Sequence, residues 1–554
     1  MNPDPSRGHP AGNPTGAPLA PGPTQEPIPM TDSAPMNGAD SLLQTLEAND
    51  VEVCFGNPGT SEMHFVAALE KTEKIRGVLG LFEGTVTGAA DGYGRMTGKP
   101  AATLLHLGPG LANGLSNLHN ALRAKSPIVN VIGDHASYHR ELDAPLTSDI
   151  EGTARPFSHW VRTTAGADSL SADTAEAVAT AREGKIASLI LPADAAWNEV
   201  TQGETIIART PVDRRTVDED AVARAAEVLT TAGPKTAFVF GEGAVDQESL
   251  EAASRIAALT GATVLTHTFI SRLPRGAGRY NVDKLPYAIK LSQPLMEEYD
   301  NVVLVGAKIP VGFFAYPGRR SLIAPGGTFF IDLGGPGSDP LGGIRLLAER
   351  LGADGTGASA VAKTELQVPD ARPTGTITPE KLGYFIAGAI PENAIVLDES
   401  LTTGGNFYQT TASAAPHDYL GGTGGSIGWA MPGAVGASIA CPDRKVITLE
   451  SDGSAMYQLQ ALWTMARENL DVVTLIFANR KYQILRNEME NVGVDNVGKK
   501  SGALLDLDNP VIDFVSLARG MGVPSARATT MEELGKAFDN ALASEGPALI
   551  EVVL

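Results

Sequence analysis

The residues best placed to do chemistry lie between Leu449 and Tyr482, in LESDGSAMYQLQALWTMARENLDVVTLIFANRKY. An apolar strand (Val446, Ile447, Leu449) enters an acidic turn, a helix follows with Leu459, Leu462, Trp463 and Ala466 at helical spacing, and a second apolar strand runs from Val472 to Phe477. A strand, helix, strand unit of this length is a right-handed parallel crossover. Both strand ends therefore emerge on one edge of a sheet, with Asp452 beside Asn479. Two oxygen-bearing side chains there, next to Gly453 and Ser454 at a helix start, suit a divalent cation that holds a phosphate. Mg2+ takes oxygen ligands, commonly one or two from protein with the rest from phosphate and water, and a helix amino terminus offers N–H groups to the anion. By itself, Asp-Gly-Ser is also an ordinary turn.

Two further positions carry ionisable groups at strand ends. Phe82-Glu83 follows the strand Gly77 to Leu81 and opens the small-residue helix GTVTGAADGYGR, so a flat heterocycle could approach the backbone and exchange a proton with Glu83. A glutamate at such a junction also serves as a solvated cap. His106 ends the strand Ala101 to Leu105 before a glycine-rich segment, GPGLANG, where an imidazole could serve function or simply be structural.

In this order, about 370 residues apart, the Glu83 and Asp452 segments resemble the signature of thiamine diphosphate enzymes. The family pattern reads GDG at one end of the crossover and NN at the other; here Ser451-Asp452-Gly453 and Ala478-Asn479 stand in those places. FEGTVTGAADGYGR looks like HExxAxxxAxGYxR, and GTGGSIGWAMPGAVGA (422–437) is similar to GGLG(F/Y)xLPAA. The resemblance implies that Asp452, Asn479 and the main-chain carbonyl of Lys481 ligate Mg2+, and that Thr402, Gly453, Ser454 and Tyr482 lie around the diphosphate. It implies that Glu83 hydrogen-bonds N1' of the aminopyrimidine, that the Gly425 carbonyl accepts from the 4'-amino group, and that Ile427 props the cofactor into a bent shape. Pro58 joins the cofactor set, Thr60 falls where relatives have a serine near the substrate, and His106 matches an active-site histidine. The lost Gly and Asn of the signature, now Ser451 and Ala478, are not metal ligands in the family.

Within this superfamily the resemblance leans two ways. FGNPGTSE, KYQILRNEM, PVIDFVSLARGMGV and GPALIEVVL look like benzoylformate decarboxylase, while the whole resembles the acetolactate synthase large-subunit group. The implied activity is decarboxylation of a 2-oxo acid followed by protonation of the enamine or its addition to a second carbonyl. Phe313 or Phe314 stands where the decarboxylase has a second histidine. Ile484, Leu485 and Glu488, after the metal asparagine, would narrow the pocket toward small aliphatic oxo acids; equally, their helix could face core with Glu488 in solvent. A non-catalytic partner subunit, and a lyase acting on a 2-hydroxyacyl thioester, are the rival readings. The resemblance also implies a homodimer or homotetramer, because in the family one subunit's first domain faces another's last.

The elements that must hold these residues alternate between helix and strand, which predicts an α/β chain of three doubly wound parallel-sheet domains. These are a pyrimidine-binding domain at 37–205, a central domain at 213–365 and a diphosphate-binding domain at 378–554. At 554 residues the chain is too long for one core. The central block has no GxGxxG after a strand, so binding of FAD is left open. Residues 1–36 hold ten of the 37 prolines and few large apolar groups, and are expected to be a disordered tail; Met30 and Met36 could each begin translation. The run 352–376, rich in Gly, Ala and Thr, reads as a linker.

A formal charge of -21, from 64 acidic against 43 basic residues, repels nucleic acid and anionic membranes, and no apolar run spans a bilayer. Cys54 and Cys441 are expected to be reduced, buried and structural, and the compartment cytoplasmic.

Overall fold

A computed structural model describes residues 35–554 apart from 203–204, 211–214, 242–244, 336, 356–362, 368–370 and 495. Nearly all of the proline-rich tail and part of the linker expected at 352–376 lie outside the described residues.

Three sheets organise the chain. The first contains β1 (Val53–Asn57), β2 (Arg76–Leu79), β3 (Ala101–Leu105), β4 (Ile128–Asp134), β5 (Trp160–Thr163) and β6 (Ile186–Pro192), in the order β2-β1-β3-β4-β6-β5. After β7 (Thr236–Phe240) and β8 (Thr263–Thr266), the short β9 (Leu273–Arg275) departs from the second sheet. That sheet is completed by β10 (Asp283–Lys284), β11 (Asn301–Val305) and β12 (Phe329–Asp332), in the order β10-β8-β7-β11-β12. The third holds β13 (Ile395–Glu399), β14 (His417–Gly421), β15 (Val446–Ser451), β16 (Val472–Ala478), β17 (Ser525–Ala528) and β18 (Ala548–Val553). Its order is β17-β18-β16-β15-β13-β14-β9. Every pairing is parallel except β14 with β9, so the third sheet is not purely parallel. The edge strand β9 comes from the stretch expected to be central domain, and its Arg275 is fully buried, donating to the Tyr408 and Val282 carbonyls.

Parallel strands covered on both faces read as continuous apolar runs, and their side chains sort by period two. Ile395, Leu397, Val446, Val472 and Ile476 face a core shared with the first domain. Val396, Ile447, Leu449, Val473, Leu475 and Phe477 face a core shared with the central domain. Each such side chain contributes about 1.5–3 kcal/mol by leaving water. In the crossover the helix Gln460–Arg467 buries Ala461, Leu462 and Met465, whereas Trp463 is only partly covered, its ring beneath Arg467. Cys54 is buried and its thiol pushed up to about 12 by desolvation, but Cys441 is only half-buried; both are free.

The first and third domains lock together where the helix Glu83–Thr97 crosses the helix Ala430–Ala440. A Cβ on Gly436 would lie 1.8 Å from the Ala89 carbonyl oxygen, and one on Gly92 2.0 Å from that of Gly433. Only glycine permits this approach. At the crossing Asp91 accepts from Arg95, Ser126 and Trp429 Nε1, while the Arg95 guanidinium lies 4.1 Å over the Trp429 ring.

Candidate functional site

Glu83 is the first residue of its helix, after an extended Phe82, where the free N–H groups of the first turn favour a carboxylate. It is buried, and Asn113 Nδ2 donates to its Oε2 at 3.0 Å. A Cβ on Gly110 would come 3.1 Å from Glu83 Oε1 and 3.3 Å from His106 Cβ. Gly110 therefore separates the two groups and leaves the second carboxylate oxygen unobstructed. The glycine-rich GPGLANG run forms the start of the helix Leu107–Ala124, with His106 as its N-cap residue.

His106 Nδ1 lies 2.9 Å from Glu62 Oε2 and 3.3 Å from Ser61 Oγ. Glu62 is buried and also accepts from the Gly59 N–H at 2.7 Å and from Ser61 Oγ at 2.6 Å. An acceptor held this firmly draws the proton of a neutral imidazole to Nδ1 and leaves Nε2 to exchange protons. Glu62 was missed from sequence although it ends the FGNPGTSE segment, because a glutamate gives no sign of burial. Thr60 and Pro58 are exposed; Thr60 shares a cavity with His106.

In the third domain, β15 and β16 pair in register up to Ser451 and Phe477, bringing the following residues together as the crossover requires. Asp452 accepts from the Arg480 N–H at 2.5 Å and the Gly453 N–H at 2.9 Å. Asn479 Oδ1 accepts from the Lys481 N–H at 3.0 Å, and the Lys481 carbonyl accepts from the Gln483 N–H at 3.0 Å. The Tyr482 ring lies where a Cβ on Gly453 would be, 2.4 Å from its Cε1. Ser451, in place of a glycine, shares a 2.7 Å hydrogen bond with Ser454 Oγ. Burial pushes the Asp452 carboxyl upward against its backbone donors. Such a carboxylate still has lone pairs, and a cation beside it would offset the cost of its charge. With one carboxylate, one amide and one carbonyl, the donors are all hard oxygens, the set Mg2+ takes.

Backbone strain marks the same places. Leu107, Leu401 and Arg480 adopt φ of 48°, 48° and 58°, beside His106, Thr402 and Asn479. Leucine enters this region at a cost of about 1–3 kcal/mol, which the surrounding structure must hold in place. Gly425 has φ 75° and is exposed, and Ile427 is half-buried rather than core. Asn120 clasps this loop, donating to the Ser426 carbonyl at 2.8 Å and accepting from the Gly424 and Ser426 N–H groups. The loop's far end is held by Glu399, which accepts from the N–H groups of Gly428, Trp429 and Ala430 at 2.8–2.9 Å. Phe313 lies against Gly425, its Cζ 2.5 Å from a built Cβ, in an aromatic group with Phe269, Tyr287 and Phe314.

The helix Gln483–Asn491 buries none of its residues, and Leu485 is exposed. Glu488 is nevertheless only partly exposed, and Tyr316 donates to its Oε2 at 2.8 Å, tying this helix to the central domain. At the carboxyl ends of the second sheet a cavity of about 1470 Å³ is lined by Gly241, Gly306 and Gly334 and by His119, Arg123 and Lys125 of the first domain.

Two thiamine pyrophosphate enzyme families match the chain: the N-terminal TPP binding domain over residues 36–154 and the C-terminal TPP binding domain over residues 403–552. A Mycobacterium tuberculosis protein named as an acetolactate synthase large subunit, IlvX, is 47% identical, covering 94% of this chain and 99% of its own. Benzoylformate decarboxylase of Pseudomonas aeruginosa is 29% identical over 92% of this chain and 97% of its own. Among solved structures, the thiamine diphosphate-dependent 4-hydroxybenzoylformate decarboxylase of Rhodococcus jostii RHA1 superposes with a TM-score of 0.80 at 26% identity, covering 93% of this chain and 98% of that one. Matched along nearly its whole length, and carrying a buried glutamate at one sheet and an oxygen-donor crossover at another, the chain belongs to the thiamine diphosphate-dependent decarboxylase and carboligase family.

Proposed function

We propose that this protein uses thiamine diphosphate and Mg2+ to decarboxylate a small 2-oxo acid and then passes the product carbon a proton or a second carbonyl, in the manner of an acetolactate synthase. The observation that carries the reading is the pairing of a buried, singly bonded Glu83 with the all-oxygen set around Asp452. When bound, the cofactor supplies an electron sink for the carbon that loses carbon dioxide.

The chain's own residues do the rest. Asp452, Asn479 and the Lys481 carbonyl would hold the metal, and Thr402, Gly453, Ser454 and Tyr482 would surround the diphosphate. Glu83 holds or gives a proton at Oε1, the oxygen that Asn113 does not occupy. Gly425 presents a carbonyl and Ile427 a branched side chain to the ring system, with Pro58 at its edge. His106 moves a proton at Nε2 with Glu62 fixing its tautomer, a contribution of about 10^2 to 10^4 in rate. Thr60, on the cavity that His106 lines, would stand near the substrate.

Large apolar side chains are exposed around both halves of the site: Leu81, Tyr138 and Leu142 in the first domain, and Leu401, Met456 and Tyr457 in the third. Covering them would favour association, which supports a homodimer or homotetramer in which a second copy closes the site. The described residues include no helix long and apolar enough to cross a membrane, and we read the compartment as cytoplasmic. The large central-domain cavity is where FAD would be sought, by the flavin absorbance of the purified protein.

A benzoylformate decarboxylase-like activity is the second reading, favoured by the Glu62-supported His106. Calorimetric titration with thiamine diphosphate and Mg2+, with CO2 release from pyruvate and benzoylformate followed in the same samples, separates the readings. Binding lost in Asp452→Ala and turnover lost in Glu83→Gln are the expected results. No binding to the wild type would leave a non-catalytic partner subunit in front.

A further inference from the structure

His106 is one wall of a second cavity, about 330 Å³, that holds two more imidazoles. Its lining also includes Thr60, His135, Tyr138, His139 and Trp197. His135 and His139 belong to the segment that follows β4, and their rings lie 5.4 Å apart. His135 Nε2 is shielded from solvent and meets no partner among the described residues. Asp134 anchors the segment through an ion pair to Arg140 at 2.8 Å, and Asp194 accepts from the Ser137 N–H at 3.0 Å. The other ionisable groups near the cavity are Glu62, behind His106, and His64, against the Trp197 ring.

Conversion of a 2-oxo acid anion to an aldehyde and carbon dioxide consumes one proton. A proton must reach the carbon that carried the carboxylate, and another must leave the neighbouring oxygen. His106 offers one exchanging nitrogen, because its Nδ1 is committed to Glu62. The aromatic group against Gly425 ends in Phe313, which carries no proton. Among the described residues, the further imidazoles lining this cavity are His135 and His139.

We propose that His135 and His139 form a second proton-transfer station of this active site, paired with His106 across the cavity. This rests on the decarboxylase reading above. In the step, an imidazolium N–H bond of the pair breaks with its electrons kept by nitrogen, and a C–H bond forms at the carbon that has released carbon dioxide, made with the electron pair of the C–C bond that held the carboxylate. His106 Nε2 gives the oxo oxygen a proton when the carbonyl is attacked and takes the same proton back as the aldehyde forms, so it ends as it began. The proton lost by the pair is restored from solvent, so the balance is one oxo acid anion and one proton in, one aldehyde and one carbon dioxide out.

The test uses the full chain and the variants His135→Gln, His139→Gln and the double substitution, and has two readouts. One is diethyl pyrocarbonate labelling of the protein before any cofactor is added, with sites mapped by mass spectrometry. Both histidines should be labelled, and a 2-oxo acid from the pyruvate and benzoylformate pair should slow labelling at least threefold. The second, with cofactor and Mg2+, measures aldehyde formed against an artificial two-electron acceptor dye reduced. The variants should bind cofactor as the wild type does, and the ratio should shift roughly tenfold or more toward the dye, because the carbon waits longer for its proton. Unprotected histidines together with an unchanged ratio, in variants that release carbon dioxide normally, would overturn the proposal and leave the decarboxylase reading standing. A wild type that neither binds cofactor nor releases carbon dioxide would overturn both.

Discussion

Replacing Glu450 with glutamine should change how stability depends on pH more than it changes stability at any one acidic pH. Glu399 and Glu450 sit opposite one another on β13 and β15, both fully enclosed. Glu399 has the three N–H groups at the start of the helix Ala430–Ala440, whereas Glu450 accepts only from the Ser451 N–H, at 3.2 Å, and its Oε2 has no partner among the described residues. Burial pushes both carboxyls up, Glu450 the further, and each ionised carboxylate would push the other higher. Glu450 therefore keeps its proton to a higher pH than an exposed carboxyl does.

The sign follows from linkage: a carboxyl whose folded value lies above its unfolded one keeps a proton that the unfolded chain has released. Its contribution is full below the unfolded value near 4.5 and is lost as pH rises through the folded value. Each retained proton makes stability fall by at most about 1.4 kcal/mol per pH unit, and each 1 kcal/mol moves the midpoint of a 150–250-residue domain by about 2–4 °C. Glutamine keeps the shape and hydrogen-bonding capacity of the protonated acid and has no proton to lose, and it relieves Glu399 of its neighbour. Thermal unfolding of the cofactor-free protein at pH 5, 6, 7 and 8 should show wild type and Glu450→Gln close together at pH 5 and diverging upward, with the variant the more stable by several degrees at pH 8. Parallel curves across this range would refute the reasoning.

Two further outcomes are expected. Gly436→Val puts carbon within 1.8 Å of the Ala89 carbonyl oxygen, so the two crossing helices must separate; a loss of about 1–3 kcal/mol or more should appear as a lowered urea midpoint. Glu62→Gln keeps a hydrogen-bonding group beside His106 but can donate as well as accept, so the Nδ1–H tautomer is no longer enforced. Calorimetric cofactor affinity should stay within twofold while kcat falls roughly 100-fold, and an unchanged kcat would show that His106 does not depend on Glu62.

Much of the arrangement was readable in the chain because it is local. The strands around Asp452 and Asn479 are mostly apolar, and a crossover of that length has one hand, so their juxtaposition follows from order and chirality alone. Glu83 stood out through the resemblance of FEGTVTGAADGYGR to the family signature, since a glutamate at such a junction is by itself also an ordinary cap. Tertiary structure decided what depends on neighbours distant in sequence. A leucine may turn up in any core, but only packing shows that Leu107 and Leu401 are held at positive φ. Nothing in GPGLANG says helix, since glycine favours none, and the segment is helical because Leu107, Leu111 and Leu118 are buried on one face. Similarly, β9 joined a sheet from another block, Glu488 found Tyr316 across 172 residues, and Glu62 met His106. A side chain's ionisation and partners are set by what surrounds it in space, and the sequence by itself specifies only what surrounds it along the chain.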